Sequence, residues 1–212
     1  MTTTVAKDQY DIMDKKQLSL GGVAAAVNFA AMLILFSAIT PGYNHLTQGV
    51  SELGMSNAPQ ALLWNLLGFG LVGALILVFA LSLYFELKTA RAGIMIAMLT
   101  GFSGLGYVGL GIFPAAIGFQ PSASTTLHTI MVMISFFSFT VAALVFAVNL
   151  RHDSFWKHWA IFSAVMGAIG LLSFAIPRSI PLGVSQRIGL GANFLWLLII
   201  GYALYRKSGV RE

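Results

Sequence analysis

The chain contains no cysteine, and only 9% of its residues are charged, where a soluble domain carries about 25%. The missing thiols exclude disulfides, thiolate metal sites and a cysteine nucleophile. The missing charge excludes an ordinary solvated surface. Acidic residues are fewer than basic ones, 7 Asp and Glu against 12 Lys and Arg, and Glu52 alone falls on its side of the layout derived below. The net charge of +5 does not point to nucleic acid, because its carriers are scattered and no basic stripe interleaves with aromatics.

Hydrophobic residues make up 58% of the 212-residue chain. They gather in six runs, roughly 18–39, 61–85, 92–114, 126–149, 158–176 and 188–205. Each is about 20 residues, the length a helix needs to cross about 30 Å of hydrocarbon. When the connections are numbered in order, all 12 Lys and Arg residues except Arg178 and Arg187 fall on one side. That bias predicts both termini to be cytoplasmic. The expected architecture is an all-α, six-transmembrane-helix bundle at residues 18–205, flanked by cytoplasmic tails at 1–17 and 206–212. The expected location is the cell membrane, as a multi-pass protein. The first run is too long for a signal-peptide core, so it reads as an uncleaved anchor.

Breakers punctuate the runs: Pro41-Gly42, Phe113-Pro114, and Pro177 with Pro181. Asn57 and Gln60 predict a capping box for the second helix, and Ser124 a cap for the fourth. In the third run, Ala97, Gly101, Gly104, Gly111 and Ala115 share one helical face, which predicts a close packing seam in lipid.

Chemistry can gather on the sparsely charged side. A short helix over Asn44–Leu53 is expected to put His45, Gln48 and Glu52 on one face. Glu52 would then stand in its last turn, where the helix dipole disfavours an anion, and so would pair with Arg187 or Arg178. His128 falls in the first turn of the fourth helix, where a neutral ring is expected. His45, Ser51, Glu52, His128 and Arg187 are therefore the candidate binding residues, and Ser51, Glu52, His128 and Arg187 are expected to converge on one outward cleft. No catalytic spacing stands out, and neither a metal nor a cofactor is expected. The reading favours binding of a lipid headgroup or small amphiphile over catalysis, with membrane lipids as partners. The alternatives are a membrane hydrolase using His128 and Glu52, or a structural or regulatory subunit.

The block Tyr43-Asn44-His45-Leu46-Thr47-Gln48-Gly49-Val50-Ser51-Glu52-Leu53-Gly54, followed by Pro59 and Asn65, resembles the signature of a bacterial and archaeal membrane family, domain of unknown function 998. Gly109-Leu110-Gly111-Ile112-Phe113-Pro114 with His128 resembles its second block, and Gln186-Arg187 with Trp196 its third. That pattern often places an acid soon after the Phe-Pro pair, and Ala115–Thr126 has none. The resemblance spans about residues 20–205. It implies the architecture and the choice of site residues, with no reaction attached.

Overall fold

The computed structural model describes residues 2–177 and 179–209. Six helices make up the fold: α1 Thr2–Ile39, α2 Ala61–Leu87, α3 Gly93–Ile112, α4 Ala123–Leu150, α5 Lys157–Ser173 and α6 Leu182–Gly209. No strand occurs among the described residues. Each helix packs on its chain neighbour, and α6 closes against α1, so the six form a ring. The turns between α2 and α3 and between α4 and α5 are too short for anything but antiparallel neighbours.

Aromatic side chains fill the centre of the ring. Phe29 stacks on Phe194 at 4.0 Å and meets Trp64 at 6.1 Å. Deeper in, Trp196 is ringed by Phe79, Phe139 and Phe146 at 6.2, 5.7 and 5.9 Å. Trp64 and Trp196 are fully buried, so packed rings occupy the axis. The outer faces are apolar instead: Leu62 is 78% exposed and Ile161 76%. Apolar outer faces all round a bundle are compatible with an integral membrane protein.

Five helices are long and apolar enough to cross a membrane. The fifth run falls short of expectation, because α5 has 17 residues and spans about 26 Å at 1.5 Å per residue. Its apolar sequence continues past Ser173, but the Ser173 hydroxyl turns back onto the Gly170 carbonyl (2.7 Å), and Pro177 follows. In α1 the polar N-terminal tail continues the helix, since Thr2–Lys16 contains no glycine or proline to interrupt it.

The expected glycine seam of α3 forms in part, since Ala115 lies past the helix end at Ile112. Gly104 lies on Gly73 and Leu77 of α2, and Gly111 lies on the α2 backbone at Asn65 and Gly70. A second small face, Gly106 and Gly109, receives Ser135 and Met131 of α4. A Cβ on Gly73 would come within 2.6 Å of the Gly104 carbonyl oxygen, whereas one on Gly101 meets only the Ala80 methyl, at 3.8 Å. Gly73→Ala is therefore expected to cost about 1–3 kcal/mol of overpacking, while Gly101→Ala should be neutral or slightly stabilising through helix propensity. Melting both variants in detergent checks the pair.

The charges gather at one end. Lys207 forms an ion pair with Glu86 (2.6 Å) and lies 4.8 and 5.0 Å from the rings of Phe155 and Trp156. Lys16 lies over Tyr205 at 5.2 Å. The Asp153 carboxylate accepts the Phe155 and Trp156 N–H groups, each at 2.9 Å, at the entry to α5. At the opposite end lie the 40–60 and 113–122 connections and the described residues between α5 and α6, where the polar candidates sit.

Both cap expectations are corrected. α2 begins at Ala61 after Gln60, which makes no side-chain cap, and Asn57 stands outside the helix. The cap of α4 is Ser122, whose hydroxyl accepts the Thr125 N–H at 3.0 Å. Ser124 instead donates to the Pro114 carbonyl at 2.6 Å.

Candidate functional site: a stapled loop over an apolar cavity

The Asn44–Leu53 stretch is not one helix. A turn at 45–47 leads to a one-turn 3₁₀ helix, Val50–Gly54. This shift reverses the electrostatics expected for Glu52. Its carboxylate reaches back to accept the Gly49 N–H at 2.8 Å, at the N-terminal end of that turn, and takes a second bond from Gln48 Nε2 at 2.9 Å. An anion is favoured at this end, so Glu52 needs no cationic partner. The ion pair expected between Glu52 and Arg187 accordingly does not form. Arg178, the other partner considered, lies outside the described residues.

Arg187 has a different role. It sits in the second turn of α6 and holds the loop by its backbone and rings. Nη1 donates to the carbonyls of Gln48 and Gly183, each at 2.9 Å. Nη2 donates to the Tyr43 hydroxyl at 2.8 Å and to His45 Nδ1 at 3.1 Å. The Tyr43 hydroxyl in turn donates to the Gly49 carbonyl at 3.1 Å. Burial raises the Tyr43 pKa against the opposing pull of Arg187, so the phenol stays a neutral donor.

Three more polar contacts staple the loop. Val50 N–H donates to Gln186 Oε1 at 2.7 Å. Asn65 Nδ2 donates to the Gly54 carbonyl at 2.9 Å. His128 Nε2 lies 3.0 Å from the Ser51 hydroxyl oxygen. Asn65 is brought inward by a π-helical turn at Trp64–Gly70. His128 is aimed by the loop beside it, because its Nδ1 lies 2.8 Å from the Phe113 carbonyl oxygen. A carbonyl only accepts, so Nδ1 carries the proton and, in the neutral ring, Nε2 is left to accept from Ser51.

A cavity of about 460 Å³ lies beside Ser51. Its origin is the short α5. α4 and α6 each run for 28 residues, but α5 stops early, and Phe174, Ile176, Pro177 and Ile180 of the connection that follows line the cavity at this end. Val132, Phe136, Phe174 and Leu190 give the cavity apolar walls, and Ser51, Ser185 and Gln186 place polar groups on them. Of the five candidates named from sequence, Ser51 alone lies on the wall. His128 bonds to Ser51 without lining the cavity, while His45, Glu52 and Arg187 belong to the loop's own network. The single cleft expected for Ser51, Glu52, His128 and Arg187 is thus not formed: Ser51 and His128 stand beside the cavity, and Glu52 and Arg187 in the loop network.

Sequence reasoning missed Tyr43, Asn65 and Gln186 as site residues, although each stands within a quoted block. Their signal was polar character beside a run end, which hydropathy alone does not separate from interfacial polarity. The Phe113 carbonyl leaves no side-chain signal at all.

An all-helical ring with membrane-length helices and a polar-stapled loop over an apolar cavity is the class that fold and site define. A model of one protein family, described as "Protein of unknown function (DUF998)", matches residues 23–203, and the chain belongs to that family. No curated protein and no solved structure matches the chain.

Proposed function

We propose that the chain is an integral membrane protein that holds a single amphiphile in the cavity beside Ser51, with its polar group toward Ser51, Ser185 and Gln186. All six helices span the bilayer in this reading, α5 with the help of the 174–181 connection. Both termini are cytoplasmic, because Lys16, Lys88, Arg91, Arg151, Lys157, Arg206 and Lys207 crowd one end of the ring. The cavity then lies toward the extracytoplasmic face. The observation that carries the reading is the cavity itself: its volume falls in the range of about 300–1,000 Å³ typical of small-molecule sites, and its walls are apolar with a few polar groups. From Leu182 to Leu190 it follows α6 for about 12 Å, a depth suited to part of an acyl chain.

The test is native mass spectrometry of protein released from mild detergent. The wild-type chain is expected to carry one amphiphile. Leu190→Trp, which fills the cavity, is expected to lose it, and Leu172→Trp, on a face 64% exposed, to keep it. A wild-type chain that carries nothing, or a Leu190→Trp variant that binds as before, would overturn the proposal.

A further inference from the structure

We infer that Ser51 and His128 form a nucleophile–base pair that acts on an ester of the amphiphile in the cavity; the inference rests on the binding reading above. The elements of acyl transfer are a hydroxyl within hydrogen-bond reach of a base, a third group that orients the base, and donors for the developing oxyanion. The first is the 3.0 Å contact between Ser51 Oγ and His128 Nε2. The second is the Phe113 carbonyl, which fixes the proton on Nδ1 and turns the Nε2 lone pair toward Ser51. Both side chains are buried, Ser51 at 5% and His128 at 2% exposure, and Ser51 reaches the cavity wall.

Two side chains supply donors. Gln186 Oε1 is committed to the Val50 N–H, which leaves its Nε2 hydrogens without a partner among the described residues. The Tyr107 hydroxyl likewise has none, and both residues line the same cavity as Ser51. They provide N–H and O–H groups for an ester carbonyl oxygen in the cavity. Ser51 lines a largely apolar cavity that Gln186 and Tyr107 also line, rather than a fully packed interior.

The chemistry balances with water as co-reactant. Ser51 Oγ bonds to the ester carbonyl carbon as His128 Nε2 takes its proton. The bond to the leaving alkoxide then breaks, and His128 returns the proton to it as the alcohol departs. Water attacks the acyl-serine, giving its proton to His128. The Ser51–acyl bond breaks, Ser51 recovers the proton, and a carboxylic acid leaves.

The test uses decyl fluorophosphonate, which phosphonylates activated serines and carries an alkyl chain for the cavity. Purified full-length protein in mild detergent is treated, digested and mapped by mass. The expected result is an adduct on Ser51 that is absent in Ser51→Ala and forms roughly 100-fold more slowly in His128→Gln. If the wild-type chain retains its amphiphile but Ser51 stays unmodified, the nucleophile is refuted while binding stands. If Ser51 reacts equally fast in a His128→Gln variant that still holds its amphiphile, the base is refuted. If no amphiphile is held and no adduct forms, both readings fail. Should His128→Gln not fold, the wild-type adduct still decides: any serine other than Ser51 as its site overturns the inference.

Discussion

Replacing Arg187 with methionine is expected to destabilise the protein by on the order of 3 kcal/mol, more than any other single change to a charged residue at this end of the ring. Methionine keeps the length of the stem but removes four contacts, to Gln48, Gly183, Tyr43 and His45. Hydrogen bonds from a charged donor contribute about 1.5–3 kcal/mol each and do not add when they share one group. The Tyr43 hydroxyl would keep its bond to Gly49 but lose the guanidinium it accepts from, and the Gln48 carbonyl would be left bare. Glu52→Gln should be milder, about 1 kcal/mol, because an amide oxygen still accepts the Gly49 N–H. Thermal melting in one detergent ranks the two. The order matters, since a Glu52–Arg187 ion pair would make the two losses similar, whereas a guanidinium with four contacts and a carboxylate with two make them unequal.

Gly54→Val is expected to have an effect of comparable size and a different signature. Gly54 closes the 3₁₀ turn against Trp64 and Asn65, and an added Cβ would meet the Asn65 amide oxygen and lie 2.7 Å from Trp64 Cδ1. Trp64 is 0% exposed and Asn65 7%, so neither has room to withdraw. The turn must lift, which breaks the Asn65–Gly54 bond and carries Ser51 away from His128. Overpacking costs about 1–3 kcal/mol, and the lost bond to a buried amide adds about 1 kcal/mol or more. The variant should therefore melt early and also lose both its amphiphile and its Ser51 reactivity. Gly73→Ala, whose clash lies in the α2–α3 seam, should melt early while keeping both. That contrast separates damage to the loop seat from general destabilisation.

Much of the fold is legible in the sequence because lipid imposes a simple rule. Long continuous apolar runs read as helices, and their ends fall within a few residues of those of α2 to α5, whereas α1 and α6 begin well before their runs. Residues 174–176 show where hydropathy misleads: Phe174, Ala175 and Ile176 extend the fifth run, yet the backbone leaves the helix at Ser173. That early stop opens the cavity, so the feature most relevant to function hides inside an unbroken apolar pattern. The polar candidates could be singled out because Ser51, Glu52, His128 and Arg187 stand between or at the ends of apolar runs on the side with few charges. Their pairing was not. It depends on whether the turn holding Glu52 begins at Asn44 or at Val50, and that choice decides which end of a helix dipole the carboxylate meets. The contact between Ser51 and His128 joins residues 77 positions apart, and its orienting group is a backbone carbonyl, which no residue pattern records. The π-helical turn that directs Asn65 under Gly54 is equally silent in sequence.

The absence of cysteine makes one measurement especially direct, because a single introduced thiol has no background. Ser185 lines the cavity near the start of α6, and its hydroxyl bonds only to the Leu182 carbonyl in the same helix (3.1 Å), so Ser185→Cys leaves the stapled loop intact. The account predicts that a membrane-impermeant maleimide labels this cysteine from outside intact cells, and that a saturating single-chain lysolipid protects it. Labelling only after the membrane is permeabilised would contradict the orientation. Labelling from outside with no protection by the lysolipid would contradict the amphiphile cavity.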